Sequence, residues 1–176
     1  MSDKYQPLTA FYLPGSPGKR HHLSPEDSVC RRLRRKETIM KSAYEDLVAP
    51  FYQQALTFNR ETTSTVVLER VLAEGFRSVN GQEVKDKGTL TRQVESFWKL
   101  IPDLRWEPKE GVVEGNRIVV RCVASGSPRG SFLGMQLDGS KSFRIDTIDI
   151  HTIENDRIVE VYHLEDWATA IRQLKG

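Results

Sequence analysis

One carboxylate in this chain sits where a carboxylate is expensive. Asp149 interrupts the apolar run Ile145–Ile153, and burying an ionised acid among such neighbours disfavours its charged form and raises its pKa. A carboxyl tuned towards neutrality suits a general base. The alternative is a structural Asp that accepts hydrogen bonds from a neighbouring strand or pairs with a cross-strand Arg. Alternation along a strand puts Phe143, Ile145, Thr147, Asp149, His151 and Ile153 on one face, with Asp146, Ile148, Ile150 and Thr152 on the other. His151 thus shares the face of Asp149, about 7 Å along the strand. It is a candidate second acid/base group across a substrate, or a satisfied polar residue on a pocket wall. His163, in Glu160-Val161-Tyr162-His163-Leu164-Glu165-Asp166, is a weaker candidate, with a strand-end surface role as the other reading. No CxxC, HExxH or Cys/His cluster occurs, so no metal or metal-dependent mechanism is expected.

These groups need elements to hold them. Met40, Tyr44, Leu47, Phe51 and Ala55 recur at helical spacing, predicting a helix over Met40–Phe58. A shorter helix is predicted over Ser64–Ala73, a short strand at Phe76–Val79 and a polar turn at Gly81–Gly88. Leu90, Val94, Phe97 and Ile101 mark a third helix that stops at Pro102. The period then changes to two, and Leu104–Val113, Arg117–Ser125, Ser142–Ile153 and Arg157–Leu164 read as strands. The long connection 126–141 is expected to contain a short strand at Phe132–Met135. Trp167–Leu174 reads as a closing helical turn, capped by Asp166. Helices first and antiparallel strands afterwards is an α+β pattern.

The chain has 176 residues, 38% hydrophobic and 28% charged, which suits one globular domain with an appendage. The charge is uneven. Residues 1–36 carry eight Lys/Arg against three Asp/Glu, and residues 37–176 carry eighteen against twenty-one. A basic extension (1–36) is thus set apart from a domain at 37–176. Within it, Pro7, Pro14, Gly15, Pro17 and Gly18 break periodic structure, and Ser24-Pro25-Glu26-Asp27 reads as a helix start. Its Phe11-Tyr12-Leu13 patch is expected to dock, within residues 8–14, on the domain or a partner subunit. The tract Arg31-Arg32-Leu33-Arg34-Arg35-Lys36 has no interleaved aromatics, so a solvated helix face is expected rather than a nucleic-acid site. No long apolar run or signal-like N-terminus is seen. A cytoplasmic, reduced protein is expected, with Cys122 a buried thiol and no disulfide to Cys30.

Several fragments, in order, resemble one family. Pro102-Asp103-Leu104 resembles its turn into the first long strand. Val113-Glu114-Gly115-Asn116-Arg117-Ile118-Val119-Val120-Arg121 resembles its first hairpin. Gly130-Ser131-Phe132-Leu133-Gly134, Ile148-Asp149-Ile150 and Asp156-Arg157-Ile158-Val159-Glu160 resemble later motifs, and Asp166 falls where an Asp is usual. The stretch 38–174 thus resembles the SnoaL-like polyketide and ester cyclases, which share the fold of nuclear transport factor two. The resemblance implies a cone: helices packed on a strongly curved, mainly antiparallel sheet that encloses a pocket. It implies a cofactor-independent reaction in which a carboxylate removes a proton beside a carbonyl, with the enolate held for an intramolecular aldol closure. It also implies a homodimer joined through the outer sheet face.

Asp149 and His151 are then the catalytic candidates, and the ligand is a small apolar or aromatic carbonyl compound. Phe97, Trp106, Phe132, Phe143, Tyr162 and His163 are the expected pocket lining, together with Tyr52 and Trp98. One position departs from the family. Where cyclases of this kind carry Gly-Thr-His-x-Gly, this chain reads Gly126-Ser127-Pro128-Arg129-Gly130. Proline transfers no protons, so ligand binding without catalysis on the same fold, or a dimeric scaffold, stands as the alternative.

Overall fold

The computed structural model describes residues 41–176 together with Val29. The remainder of the basic extension, including the apolar patch at 11–13, the arginine tract and Cys30, lies outside the described residues.

A helix over 41–56, α1, opens the described domain. The sequence predicts an ordinary α-helix there, yet Tyr44–Val48 and Phe51–Leu56 hold the wider π hydrogen bonding. Pro50 lies between them. It has no N–H to give the ladder, and its ring crowds the carbonyl four residues back. A wider turn relieves that clash while keeping Leu47, Val48, Phe51, Tyr52, Ala55 and Leu56 in the core. α2 (Ser64–Val71) starts at a Thr63 cap whose side chain accepts from the Val66 N–H, and buries Val67, Leu68 and Val71. α3 (Lys87–Leu100) starts at an Asp86 cap and buries Leu90 and Val94. α4 (Trp167–Lys175) starts at Asp166, whose carboxylate accepts from the Thr169 N–H at 2.9 Å.

Eight strands complete the domain: β1 (Leu72–Asn80), β2 (Glu83–Asp86), β3 (Arg105–Glu114), β4 (Arg117–Gly126), β5 (Arg129–Phe132), β6 (Met135–Asp138), β7 (Phe143–Glu154) and β8 (Arg157–Glu165). Six form one sheet in the order β2-β1-β8-β7-β4-β3, while β5 and β6 pair separately. Every neighbour in the main sheet is antiparallel except β1 with β8, which run parallel. The fold is therefore α+β with a mixed sheet curved around α1–α3. Burial alternates strictly over Phe143–Asp149 in β7, and His151 and Ile153 continue the same inner face.

Three strand expectations need correction. Glu83–Asp86 is a strand rather than part of a turn, and the turn shrinks to Gly81-Gln82. β2 lies at the sheet edge and its one apolar side chain, Val84, is 51% exposed, so no apolar alternation marks it. β1 is longer than Phe76–Val79, because its pairing with β8 shifts register between Leu72 and Arg77, where Glu74-Gly75 breaks the pattern. Phe132–Met135 is the tip of a hairpin and not a strand. Leu133 and Gly134 both take positive φ, 48° and 74°, as a two-residue turn of this hand requires. Cys122 is a buried free thiol, as expected. Among the described residues no helix is long and apolar enough to cross a membrane.

Candidate active site

The curved sheet and α1, α3 and α4 enclose a cavity of about 240 Å³. Its apolar side is made by Phe51, Leu56, Leu90, Val94, Phe97, Leu104, Trp106, Val161 and Trp167. Its polar side is made by Ser78, Asn80, Glu83, Lys85, Gln93, Asp149, His163 and Glu165.

The polar side follows from sheet register. Asp149 on β7 is the Cα partner of His163 on β8, and Ser78 on β1 is the partner of Lys85 on β2. With strand order β2-β1-β8-β7, the four side chains Lys85, Ser78, His163 and Asp149 come from four successive strands. Each strand sends alternate residues inward. Ser78 and Asn80 on β1, and His163 and Glu165 on β8, therefore reach the same space.

Asp149 is 4% exposed. The Tyr52 hydroxyl donates to its Oδ2 at 2.8 Å, and Thr147 Oγ1 donates to the same oxygen at 3.3 Å. Among the described residues no donor reaches Oδ1, which leaves that oxygen for a ligand. Burial pushes the carboxyl up to about 7; the Tyr52 hydrogen bond opposes the rise, and the negative charge of Glu165 adds to it. Asp149 is thus divided between acid and base near neutrality.

Beneath it, His151 is fully buried. It packs edge-on against Phe51 and Tyr52, each with ring centroids 5.4 Å away. Burial lowers its pKa to about 3, and His163 adds to the effect. His151 is therefore neutral. Its Nε2 lies 2.7 Å from the Tyr52 hydroxyl. Tyr52 itself is held protonated, because burial and then the charge of Asp149 raise its pKa well above the ordinary value. Tyr52 has one proton. When it donates that proton to ionised Asp149, His151 must donate through Nε2–H, which leaves Nδ1 bare. Nδ1 is indeed buried with no partner among the described residues. The tautomer follows from this network rather than from an observed hydrogen.

His163 is held at both ring nitrogens. Nδ1 lies 2.7 Å from Glu165 Oε1, and Nε2 lies 2.9 Å from Ser78 Oγ. Asn80 Nδ2 donates to Glu165 Oε2 at 3.1 Å.

The structure therefore brings Asp149, His163, Phe97 and Trp106 to the cavity and separates the other expected site residues from it. His151 does not face a ligand across from Asp149. It is not among the residues that line the cavity, and it packs instead against Phe51 and Tyr52 of α1. Phe132 and Phe143 pack with Phe97 and Trp167 in an aromatic cluster with centroid spacings of 5.8–6.3 Å, and only Phe97 and Trp167 of the four line the cavity. Tyr162 points to the outer face and is 43% exposed; adjacent strand residues cannot share a face, so His163 inside places Tyr162 outside. Trp98 donates its Nε1–H to the Leu56 carbonyl at 3.4 Å and packs on Phe58. Tyr52 acts through its hydrogen bond to Asp149 rather than as lining. Sequence reasoning missed Ser78, Asn80 and Glu165. Their signal was a Ser, an Asn and a Glu at core-facing positions of strands that otherwise bury Phe76 and Val161.

The stretch Gly126–Gly130 contributes nothing to the cavity. Pro128 is buried elsewhere, Arg129 is exposed on β5, and the Ser127 N–H donates to Asp103 Oδ1 at 2.8 Å. Among the described residues no three His, Cys, Asp or Glu side chains converge to hold a metal ion.

Helices packed on a curved mixed sheet around a cavity define the cone fold of the nuclear-transport-factor-two kind. The sequence model of the SnoaL-like polyketide cyclases matches residues 46–174, and the chain belongs to that family. A protein of Jannaschia sp. CCS1 assigned as a SnoaL-like polyketide cyclase superposes with a TM-score of 0.67 at 16% identity, covering 77% of this chain and 93% of that one. TsrD from Streptomyces laurentii superposes at 0.62 with 23% identity, over 77% and 93%. A Catenulispora acidiphila protein with a ketosteroid isomerase-like fold, solved with trimethylamine, superposes at 0.57 with 8% identity, over 76% and 92%. Comparison with curated proteins yields no match.

Proposed function

We propose that this protein is a cofactor-independent enzyme that enolises a small apolar or aromatic carbonyl compound, with Asp149 as base. The single observation that carries the reading is the Asp149 carboxyl, buried at the cavity wall with Oδ2 held by Tyr52 and Oδ1 open to a ligand. Asp149 takes the proton from the carbon beside the carbonyl, and the electron pair moves onto the carbonyl oxygen. The cavity wall offers Lys85, Asn80 and Gln93 as donors to that developing charge. Attack of the enolate carbon on a second carbonyl closes a ring, and the alkoxide so formed takes the proton back from Asp149; return of that proton at another carbon instead gives an isomer. At about 240 Å³ the cavity lies below the roughly 300–1,000 Å³ of drug-sized sites, which favours a compact, one- or two-ring substrate.

The test is deuterium uptake into a β-ketoester and a cyclic 1,3-diketone in heavy water. Exchange should fall about 10²–10⁴-fold in Asp149→Asn; undiminished exchange in that variant removes Asp149 as the base.

A second reading, ligand binding without turnover, draws support from the lack in this cavity of the His that the family resemblance implies: position 128 is Pro, and no residue of Gly126–Gly130 lines the cavity. Binding of both probes without exchange would favour it. A homodimer is proposed with either reading. Ile148, Tyr162 and Leu164 are 51%, 43% and 61% exposed together on the outer face of β7 and β8. Light scattering on Leu164→Lys checks this, with loss of a dimer expected.

A further inference from the structure

The second polar group in the cavity has its own chemical order. Ser78 Oγ lies 2.9 Å from His163 Nε2, and His163 Nδ1 lies 2.7 Å from Glu165 Oε1. We propose that Ser78, His163 and Glu165 form a nucleophile, base and orienting acid that accept an acyl group from an ester or thioester bound in the cavity. A weak hydroxyl nucleophile needs a base within hydrogen-bond reach, and that base needs a third group to fix its tautomer. Both needs are met here. Glu165 accepts from Nδ1–H, so Nε2 carries the lone pair that accepts from the Ser78 hydroxyl. Asn80 donates to the other Glu165 oxygen at 3.1 Å, which aims Oε1 at the imidazole. All four residues line the cavity.

The same geometry rules out a simpler role. His163 has both ring nitrogens occupied, so it meets a ligand through Ser78 and not directly. Ser78 is itself only 3% exposed and lines the cavity. Beside it, Lys85 is its Cα partner on β2 and lines the same wall, with its ammonium 2.9 Å from Glu83 Oε2. Same-face partners of this kind hold their Cβ atoms about 4.5–5.5 Å apart, so Lys85 brings positive charge next to the attacked carbonyl.

Ser78 Oγ bonds to the carbonyl carbon while its proton passes to His163 Nε2, and the carbonyl π pair moves onto oxygen, facing Lys85. The C=O bond re-forms and the C–O or C–S bond to the leaving group breaks. The alkoxide or thiolate takes the proton from His163 and departs as an alcohol or thiol. Water then gives a proton to His163 Nε2 and its oxygen to the acyl carbon. Collapse returns that proton to Ser78 and releases a carboxylic acid. Ester plus water gives acid plus alcohol, with no redox partner.

This inference does not rest on Asp149 acting as a base. The full chain is treated with a small alkyl fluorophosphonate and, separately, with p-nitrophenyl acetate. A single phosphonyl adduct on Ser78 and a burst of one p-nitrophenol per chain are expected. Ser78→Ala should lose the adduct and at least about 10³-fold in hydrolysis at an unchanged melting temperature. Glu165→Gln, which keeps the shape, should slow labelling on the order of 10⁴-fold. No adduct, an adduct on another residue, or hydrolysis retained in Ser78→Ala overturns the proposal, and the trio is then a buttress of the wall. Labelling without deuterium exchange supports this inference and removes Asp149 as base; exchange without labelling does the reverse.

Discussion

Replacing Asp149 by Asn should stabilise the protein at pH 8 and leave it nearly unchanged at pH 4. The carboxyl is raised from 3.8 to about 7 in the folded state. An acid whose folded pKa lies above its unfolded value binds its proton more tightly when folded. Its contribution is fully present below about pH 4, is lost as pH rises towards 7, and is gone above 7. At ~1.36 kcal/mol per pH unit, the ionised form costs about 4 kcal/mol of stability at pH 8. Asn keeps the shape, and its amide oxygen still accepts from Tyr52, so the variant escapes most of that cost. For a domain of this size the gain corresponds to a rise on the order of 10 °C in melting temperature. His151 works against this in the wild type. Its folded pKa of about 3 lies below the ordinary 6.5, so it costs stability as pH falls below about 6.5. The readout is therefore the difference between variant and wild type, in denaturant titrations from pH 4 to 8. A difference that stays flat with pH would show that the folded protein does not desolvate the carboxyl. A variant less stable than wild type at pH 8 would make Asp149 a structural residue.

Tyr52→Phe removes the hydrogen bond that lowers the Asp149 pKa; because the base must be ionised, the rise of kcat/KM with pH should move to higher pH, and an unmoved pH profile would contradict the bond. Gly126→Ala would place a Cβ 2.3 Å from Ile101 Cγ2 and 3.4 Å from the Leu104 Cα, and Ile101 is fully buried; overpacking should cost about 1–3 kcal/mol, read by thermal melting. Phe143→Ala should cost about 3–5 kcal/mol, the usual loss for a buried Phe, since Phe143 is 2% exposed. Phe97→Ala should cost less, because Phe97 is only partly buried and one side of its ring already faces the cavity; equal losses in urea titrations would mean that the cavity is filled at that point.

Asp149 was legible because β7 is a long, cleanly alternating strand, so one acid among apolar residues declares both its face and its burial. Depth along the strand was not legible. His151 has the same face as Asp149, yet it packs against Phe51 and Tyr52 of α1 and does not line the cavity, and nothing in β7 records where a helix crosses. The placement of His163 was not legible from the hairpin turn: the register at Glu154–Arg157, continued unbroken, would set Tyr162 opposite Asp149, and a register shift between Thr152 and Ile153 brings His163 there instead. Its partner Ser78 was not visible. Ser78 lies 85 residues away on a strand that joins β8 in parallel, and that pairing leaves no local turn in the sequence. The π-helical turns of α1 had a legible cause in Pro50 but no legible outcome, because a kink, a break and a wide turn all answer the same clash.

The two histidines of the site show why the residue type says less than its depth. His151 is neutral because it is dry, and its one polar contact is Tyr52, itself held protonated. It therefore contacts the hydroxyl that bonds Asp149, and it does not line the cavity. His163, one strand over, borders the cavity and is bound by a carboxylate on one nitrogen and a hydroxyl on the other. Both ring nitrogens of His163 are thus partnered, whereas Nδ1 of His151 has no partner among the described residues. Under the proposed enolisation, proton transfer would use Asp149 Oδ1, and the Gly126–Gly130 stretch, which lines no part of the cavity, would take no part in it.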